Sequence, residues 1–175
     1  YDYMGYVGRG YGDYAGSKVI IDGKEFVETT KAGDGYMGVY IVDGVLEIGT
    51  VRSLQWLAKE VNGGKNFNKE TVRLMADLNL NNEEWEPIGN STNSFQGTFD
   101  GNNHTISHIS LDGNGLFGTL HNGDVKNLYL QSPLMTIGKE ANCAGILAGS
   151  AIENNIENVH IFDAVISNDN SNYEY

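Results

Sequence analysis

Val125-Lys126-Asn127-Leu128-Tyr129-Leu130 and Ile156-Glu157-Asn158-Val159-His160-Ile161 share one pattern: apolar, any residue, a polar hydrogen-bonding residue, apolar, any residue, apolar. Each is preceded seven positions upstream by a glycine, Gly118 and Gly149. Two further copies stand earlier, Met75-Ala76-Asp77-Leu78-Asn79-Leu80 and Ile106-Ser107-His108-Ile109-Ser110-Leu111, so the four starts are separated by 31, 19 and 31 residues. A short strand repeating every few tens of residues between Gly- and Asn-rich connections reads as a solenoid, because one such unit cannot bury its apolar face alone and stacked units can. A 19-residue interval suits one bare coil, and 31 a coil carrying a loop. The expected fold is therefore all-β: a right-handed parallel β-helix of about four to six coils.

Stacking the four copies in register would align Asp77, His108, Asn127 and Asn158 as a structural polar ladder. Polar residues at a repeated position satisfy backbone or side-chain partners that would otherwise be buried and unpaired. A catalytic or metal-binding row is the less economical reading of the same four residues.

Upstream of the repeat the periodicity changes. In Thr50–Asn62 the apolar positions Val51, Leu54, Leu57, Ala58 and Val61 fall at helical spacing, with Thr50 as N-cap and Asn62-Gly63-Gly64 as a stop. A helix of about three turns must lay its stripe on something, and the open end of the coil stack is the expected place. Two Asp-Gly pairs between apolar runs, Asp22-Gly23 and Asp43-Gly44, predict hairpins with tight primed turns. Residues 17–48 thus read as a small antiparallel hairpin unit, and 49–175 as a helix-capped parallel β-helix. Residues 1–16 contain five tyrosines and five glycines without periodicity. They read as an arm, with Tyr1, Tyr3, Tyr6, Tyr11 and Tyr14 offering partner-binding area at low entropic cost.

The 23 Gly and 20 Asn together favour turns and strands. A formal net charge of −12 argues against a phosphate backbone as partner, which needs clustered Lys and Arg. The acidity reads first as solubility; Ca²⁺ is the one ion it would suit. A single cysteine, Cys143, excludes an internal disulfide and is expected to be a small buried hydrophobe. No run of 18 apolar residues is present, so no membrane span is expected. The chain begins at Tyr1, which fits a processed or excised protein.

No nucleophile elbow, phosphate-binding loop or EF-hand loop occurs. His104, His108, His121 and His160 do not fall at metal-ligand spacing on a predicted helix. Glu83 and Glu84 read as a polar loop, and Asp100-Gly101 as a tight turn. Trp56 and Trp85 offer rings for stacking on sugars, but read first as packing where helix meets coil. No catalytic, cofactor or metal site is assigned.

A series of motifs resembles the GLUG-repeat proteins. They are Trp85-Glu86-Pro87-Ile88-Gly89, then Phe95-Gln96-Gly97-Thr98-Phe99-Asp100-Gly101-Asn102-Asn103-His104-Thr105-Ile106, then Gly115-Leu116-Phe117-Gly118 followed by Val125-Lys126-Asn127-Leu128. The stretches 48–64 and 72–80 resemble the helix and first strands that precede such repeats. The likeness covers about residues 46–166, and Gly145-Ile146-Leu147-Ala148-Gly149 departs from it by one extra residue, so a different turn is expected there. Proteins of this kind include bacterial surface adhesins and regions of immunoglobulin A proteases. The resemblance implies a cell-surface β-helix used for adhesion or display, without a catalytic residue set. The last coil, near Ile161–Ile166, is followed by polar Ser167–Tyr175 and no capping helix, so a C-terminal continuation, another subunit or the N-terminal unit and arm of a neighbour is expected to cover it. The expected function is thus a non-enzymatic extracellular module, adhesin-like or filament-forming. Its partners would be other subunits, as a homo-oligomer or filament, or a host surface protein or glycan. A phage tailspike segment binding host glycans and a polysaccharide-degrading β-helix enzyme are the alternatives.

Overall fold

The computed structural model describes residues 44–139 and 141–168 in full, and strands β1 (Lys18–Ile21), β2 (Lys24–Glu28) and β3 (Val39–Val42) as backbone. The arm tyrosines Tyr1, Tyr3, Tyr6, Tyr11 and Tyr14 lie outside the described residues. Strands β1 and β2 pair antiparallel, as do β2 and β3, and β3 and β4 (Val45–Ile48). In β4 the alternation of Leu46 and Ile48 with Val45 and Glu47 puts the first two in the core.

Next comes α1 (Val51–Asn62), then β5 (Thr71–Leu74). β4 and β5 pair parallel, Leu46 beside Val72 and Ile48 beside Leu74, so the helix is the crossover between two neighbouring strands. The antiparallel strands and the coils therefore share one continuous sheet across residue 48. A reciprocal capping box starts the helix: the Ser53 N–H donates to Thr50 Oγ1 at 3.0 Å, and the Thr50 N–H to Ser53 Oγ at 2.9 Å. Its end is closed by Gly63 N–H to Lys59 O and Lys65 N–H to Glu60 O.

An isolated helix of this length is marginal in water. Its buried stripe, Leu54, Trp56, Leu57, Ala58 and Val61, is what holds it, each large side chain contributing about 1.5–3 kcal/mol on burial. That stripe belongs to the same core as the coils and closes its N-terminal end. Rings run on from it, Trp56 to Phe67 (6.4 Å), Phe95 (6.1 Å) and Phe117 (5.5 Å). At the helix C-terminus, Asn62 donates to Pro87 O and accepts from the Gly89 N–H, which clamps the helix to the first coil.

The remaining strands are β6 (Leu78–Asn79), β7 (Thr98–Ser107), β8 (Ser110–Asp112), β9 (Phe117–His121), β10 (Asp124–Gln131), β11 (Leu134–Ile137), β12 (Ala148–Ile152), β13 (Asn155–Phe162) and β14 (Val165–Asn168). They wind as a parallel β-helix. One side stacks β5, β7, β10 and β13, the second β8, β11 and β14, the third β9 and β12. Isolated bridges from Glu84, Ile88 and Phe95 supply the second and third sides of the first coil. Four coils result among the described residues.

Register sets the true coil length. Leu46, Val72, Phe99, Val125 and Ile156 lie side by side, at intervals of 26, 27, 26 and 31 residues. Only the last interval matches the spacing of the sequence motif. Its third and fourth copies stack in register, whereas Ile106, the first residue of the second copy, stands between Leu78, the fourth of the first, and Leu130, the last of the third. The second copy begins at the end of the first side because the same apolar spacing recurs there, and a bulge separately lengthens β7: seven residues separate Phe99 from Ile106, where five separate Val125 from Leu130.

The chain turns at single residues with left-handed backbone. His108, Ser132 and Asp163 occupy the corner between first and second sides, with φ of 53°, 51° and 52°. Asn122 and Glu153 do the same where the chain enters the next coil. Asn127 and Asn158 bend the middle of β10 and β13 with φ of 54° and 52°. Asn tolerates this region better than most residues, which accounts for part of the Asn content. Gly118 serves a different need, since a Cβ there would lie 2.2 Å from Gly89 O of the coil below.

Candidate functional site

The outward face of the first side carries three rows of side chains running along the stack. Asn127 donates to Asp100 Oδ1 at 3.3 Å, and Asn158 donates to Asn127 Oδ1 at 2.9 Å. His160 Nε2 lies 2.8 Å from Asn158 Oδ1. The structure thus brings Asn127 and Asn158 together but seats neither Asp77 nor His108 with them. Asp77 stands one row over, its Oδ1 accepting from the Thr105 N–H at 2.9 Å and 3.0 Å from His104 Nδ1. His108 sits at the corner described above, its Nδ1 buried without a hydrogen-bond partner among the described residues. The shifted register of the first two motif copies is the cause of both departures.

Sequence reading missed Asp100. It is a strand residue of β7, not a turn, and is 7% exposed. Arg73 Nε donates to its Oδ2 at 3.3 Å. Burial opposes ionisation of Asp100, but the Asn102 N–H, the Asn127 amide, Arg73 and the nearby Lys126 charge together hold its carboxyl below the usual carboxylate range. Asp77 is also held low, chiefly by the Thr105 N–H and then by His104.

Asp100 belongs to the second row. Glu47 stands beside Arg73, Arg73 beside Asp100, Asp100 beside Lys126, and Lys126 beside Glu157. Five adjacent strands thus alternate in charge sign, the arrangement in which each cross-strand pair is favourable by roughly 0.2–1 kcal/mol. The third row is aromatic at its far end: Tyr129 and His160 lie with centroids 5.1 Å apart and planes at 11°, and Phe162 is parallel to both at 6.1 Å.

All three rows end on the coil 148–168, whose strands β12, β13 and β14 are each the edge of their sheet among the described residues. The inward positions change character here. Phe99 and Val125 are fully buried, but Ile156 in the same row is 47% exposed, and Ile161, Val165 and Ile166 are exposed as well.

Elsewhere, Trp56 and Trp85 are buried, the Trp85 indole donating to Leu116 O at 3.0 Å, so neither presents a ring to a sugar. Cys143 is exposed, a correction to its expected burial: the 31-residue coil carries a longer connection between β11 and β12, and Cys143 lies on this loop, while Ile146 and Leu147 nearer β12 pack against the core. This loop borders an open cleft of about 480 Å³ lined in part by Asp112, Asn114, Lys139 and Cys143. Among the described residues no three His, Cys, Asp or Glu side chains are grouped to hold a metal ion, and no helix is long and apolar enough to cross a membrane.

Over 93 residues, 49% of its length, the chain is 40% identical to Halomucin of Haloquadratum walsbyi, and that match spans 1% of Halomucin. Over 87 residues, 46% of its length, it is 36% identical to a Gly-rich membrane protein of Evansella cellulosilytica, spanning 10% of that protein. No family profile matches the chain, and no solved structure matches it. The chain therefore corresponds to a small part of each of these much longer proteins, and both matches are consistent with a surface or membrane-associated setting.

Proposed function

We propose that this chain is a non-enzymatic extracellular module of the GLUG-repeat kind, a rigid coil stack that assembles end-on with other protein at a cell surface. The observation that carries this reading is the coil 148–168, which among the described residues leaves three strand edges without a partner and the row Ile156, Ile161, Val165 and Ile166 exposed, at one end of a core closed at the other by α1. Unpaired edges beside exposed apolar side chains favour strand addition. Similarity to a protein named for the membrane supports the surface location.

The arm 1–16 is the proposed second contact. Light scattering coupled to size exclusion, run on the full chain and on a chain lacking residues 1–16, tests both parts. Concentration-dependent oligomers are expected for the full chain, reduced without the arm. A monomer at every concentration for both would overturn the assembling module.

A further inference from the structure

We infer that Asn90 is an acceptor for an N-linked glycan: the exposed loop 89–94 presents the Asn90 side-chain nitrogen to a glycan transferase, while the fold withholds the same motif at Asn103. The inference rests on the extracellular part of the reading above, since glycans of this kind are carried by exported protein.

Asn-x-Ser/Thr, with x other than proline, is the acceptor motif for this modification, and the chain carries it twice, at Asn90-Ser91-Thr92 and Asn103-His104-Thr105. The two sites are held differently. Seven residues separate Ile88 from Phe95, where three separate their partners Phe117 and Leu120 on the next coil, so the chain between them stands out from the third side as a loop. Its base is fixed: Asn93 donates to Asn62 O at 2.7 Å, the Gly89 N–H to Asn62 Oδ1 at 2.9 Å, and the Asn90 N–H to Asn93 O at 2.6 Å. Asn90, Ser91 and Thr92 are all exposed. Asn90 Oδ1 accepts from the Thr92 and Asn93 N–H groups, each at 2.9 Å, which is an Asx turn. Both partners are donors, so the oxygen is committed to the loop backbone and Nδ2 has no partner among the described residues. The turn also ties the Asn90 side chain to the residue whose hydroxyl completes the motif.

Asn103 is exposed too, but it lies within β7, where Thr105 stands beside Tyr129 of β10 and gives its N–H to Asp77 Oδ1 at 2.9 Å. Asn103 therefore cannot accept from Thr105, and His104 between them lies opposite Leu128 with its Nδ1 3.0 Å from Asp77. A transferase would have to unpair β7 from β10 to draw this segment into its own site, whereas the loop 89–94 can enter with every coil left intact. Transfer forms a bond from Asn90 Nδ2 to the anomeric carbon of an oligosaccharide carried on a lipid phosphate, and breaks the bond from that carbon to the phosphate oxygen. The lipid phosphate leaves with the electron pair, one Nδ2 proton passes to water, and nothing is oxidised or reduced.

The test incubates the folded chain 1–175 with a purified oligosaccharide transferase specific for Asn-x-Ser/Thr and its lipid-phosphate-linked donor, and reads intact mass and the modified site by fragmentation. Linear peptides of residues 87–95 and 100–108, free of the fold, are the positive controls. One glycan is expected on the folded chain, at Asn90. It should be lost in Asn90→Gln and also in Thr92→Val, which keeps the backbone turn and the side-chain shape but removes the hydroxyl. A folded chain that takes no glycan, or takes it at Asn103 as readily as at Asn90, would overturn the inference. Labelling of intact producing cells with a membrane-impermeant amine reagent separates the two ideas. A chain glycosylated in solution but unlabelled on cells sinks the extracellular reading alone, whereas one labelled on cells but not glycosylated in solution sinks the acceptor alone.

Discussion

The Asn158 side chain donates to the Asn127 side-chain oxygen across 2.9 Å, and both residues hold a left-handed backbone, with φ of 52° and 54°. Two demands meet at one position: a residue that accepts the bend and a side chain that both donates and accepts along the stack. Asn meets both, which Gly and Ala do not. Asn127→Ala is expected to lower stability by about 2 kcal/mol, from lost hydrogen bonds and backbone strain together. Asn127→Gly, free of the strain, should cost clearly less. Urea unfolding of the two variants measures the difference, and equal losses would show that the backbone makes no demand.

Asp100 links the amide and charge rows and gives the stability a defined acid limb. Its folded pKa lies below its unfolded value, so its contribution is present in full above about pH 4, the ordinary Asp range, and is lost as pH falls through the lower folded value. Asp77 acts in the same direction but stands largely in solvent. The urea midpoint should hold steady from pH 7 to pH 5 and drop below pH 4. In Asp100→Asn the midpoint should be lower at pH 6 and lose less on acidification. A variant with the wild-type acid slope would remove Asp100 from the account.

Close approach of successive coils at Gly118 predicts a severe effect of one methyl group. With Gly89 O lying 2.2 Å from where the Cβ would be, Gly118→Ala forces backbone to move and should cost about 3 kcal/mol or more. Gly138→Ala is the matched control, since a Cβ there meets nothing within 4 Å, and should shift stability by less than about 0.5 kcal/mol. Thermal melts of the pair would detect this contrast, and similar losses would contradict the packing.

Cys143 lies exposed between β11 and β12, so it should react with a thiol reagent in the native protein as readily as in urea. A thiol that reacts only after unfolding would place that loop against the core.

Much of the architecture could be read in the chain because its signals are local. Thr50, Asn62 and the stripe between them define α1 without reference to anything distant, and the repeated apolar spacing of 125–130 and 156–161 fixes two strands that do stack. The register of the earlier coils could not be read in the same way. The pattern of apolar residues fits the middle of the first side at Val125 and equally its end and corner at Ile106–Leu111, and only the pairing of neighbouring coils decides between them; the two-residue bulge around Asn102–Asn103 likewise has no signature of its own. Asp100 was misread for a related reason: Asp-Gly favours a turn locally, and only the neighbouring strands, with Arg73 below and Asn127 above, hold it extended. The charge alternation from Glu47 to Glu157 is likewise invisible until 26- and 27-residue coils are laid side by side.

Closing one end with a helix gives the molecule polarity. At the helix end, among the described residues, only the first side continues past the coils, through β4 and then the antiparallel β3, so strand direction reverses there. At the far end all three sides remain parallel. Among the described residues the two ends of the stack are therefore unlike: a further coil could continue all three sides by parallel pairing only at the end away from the helix.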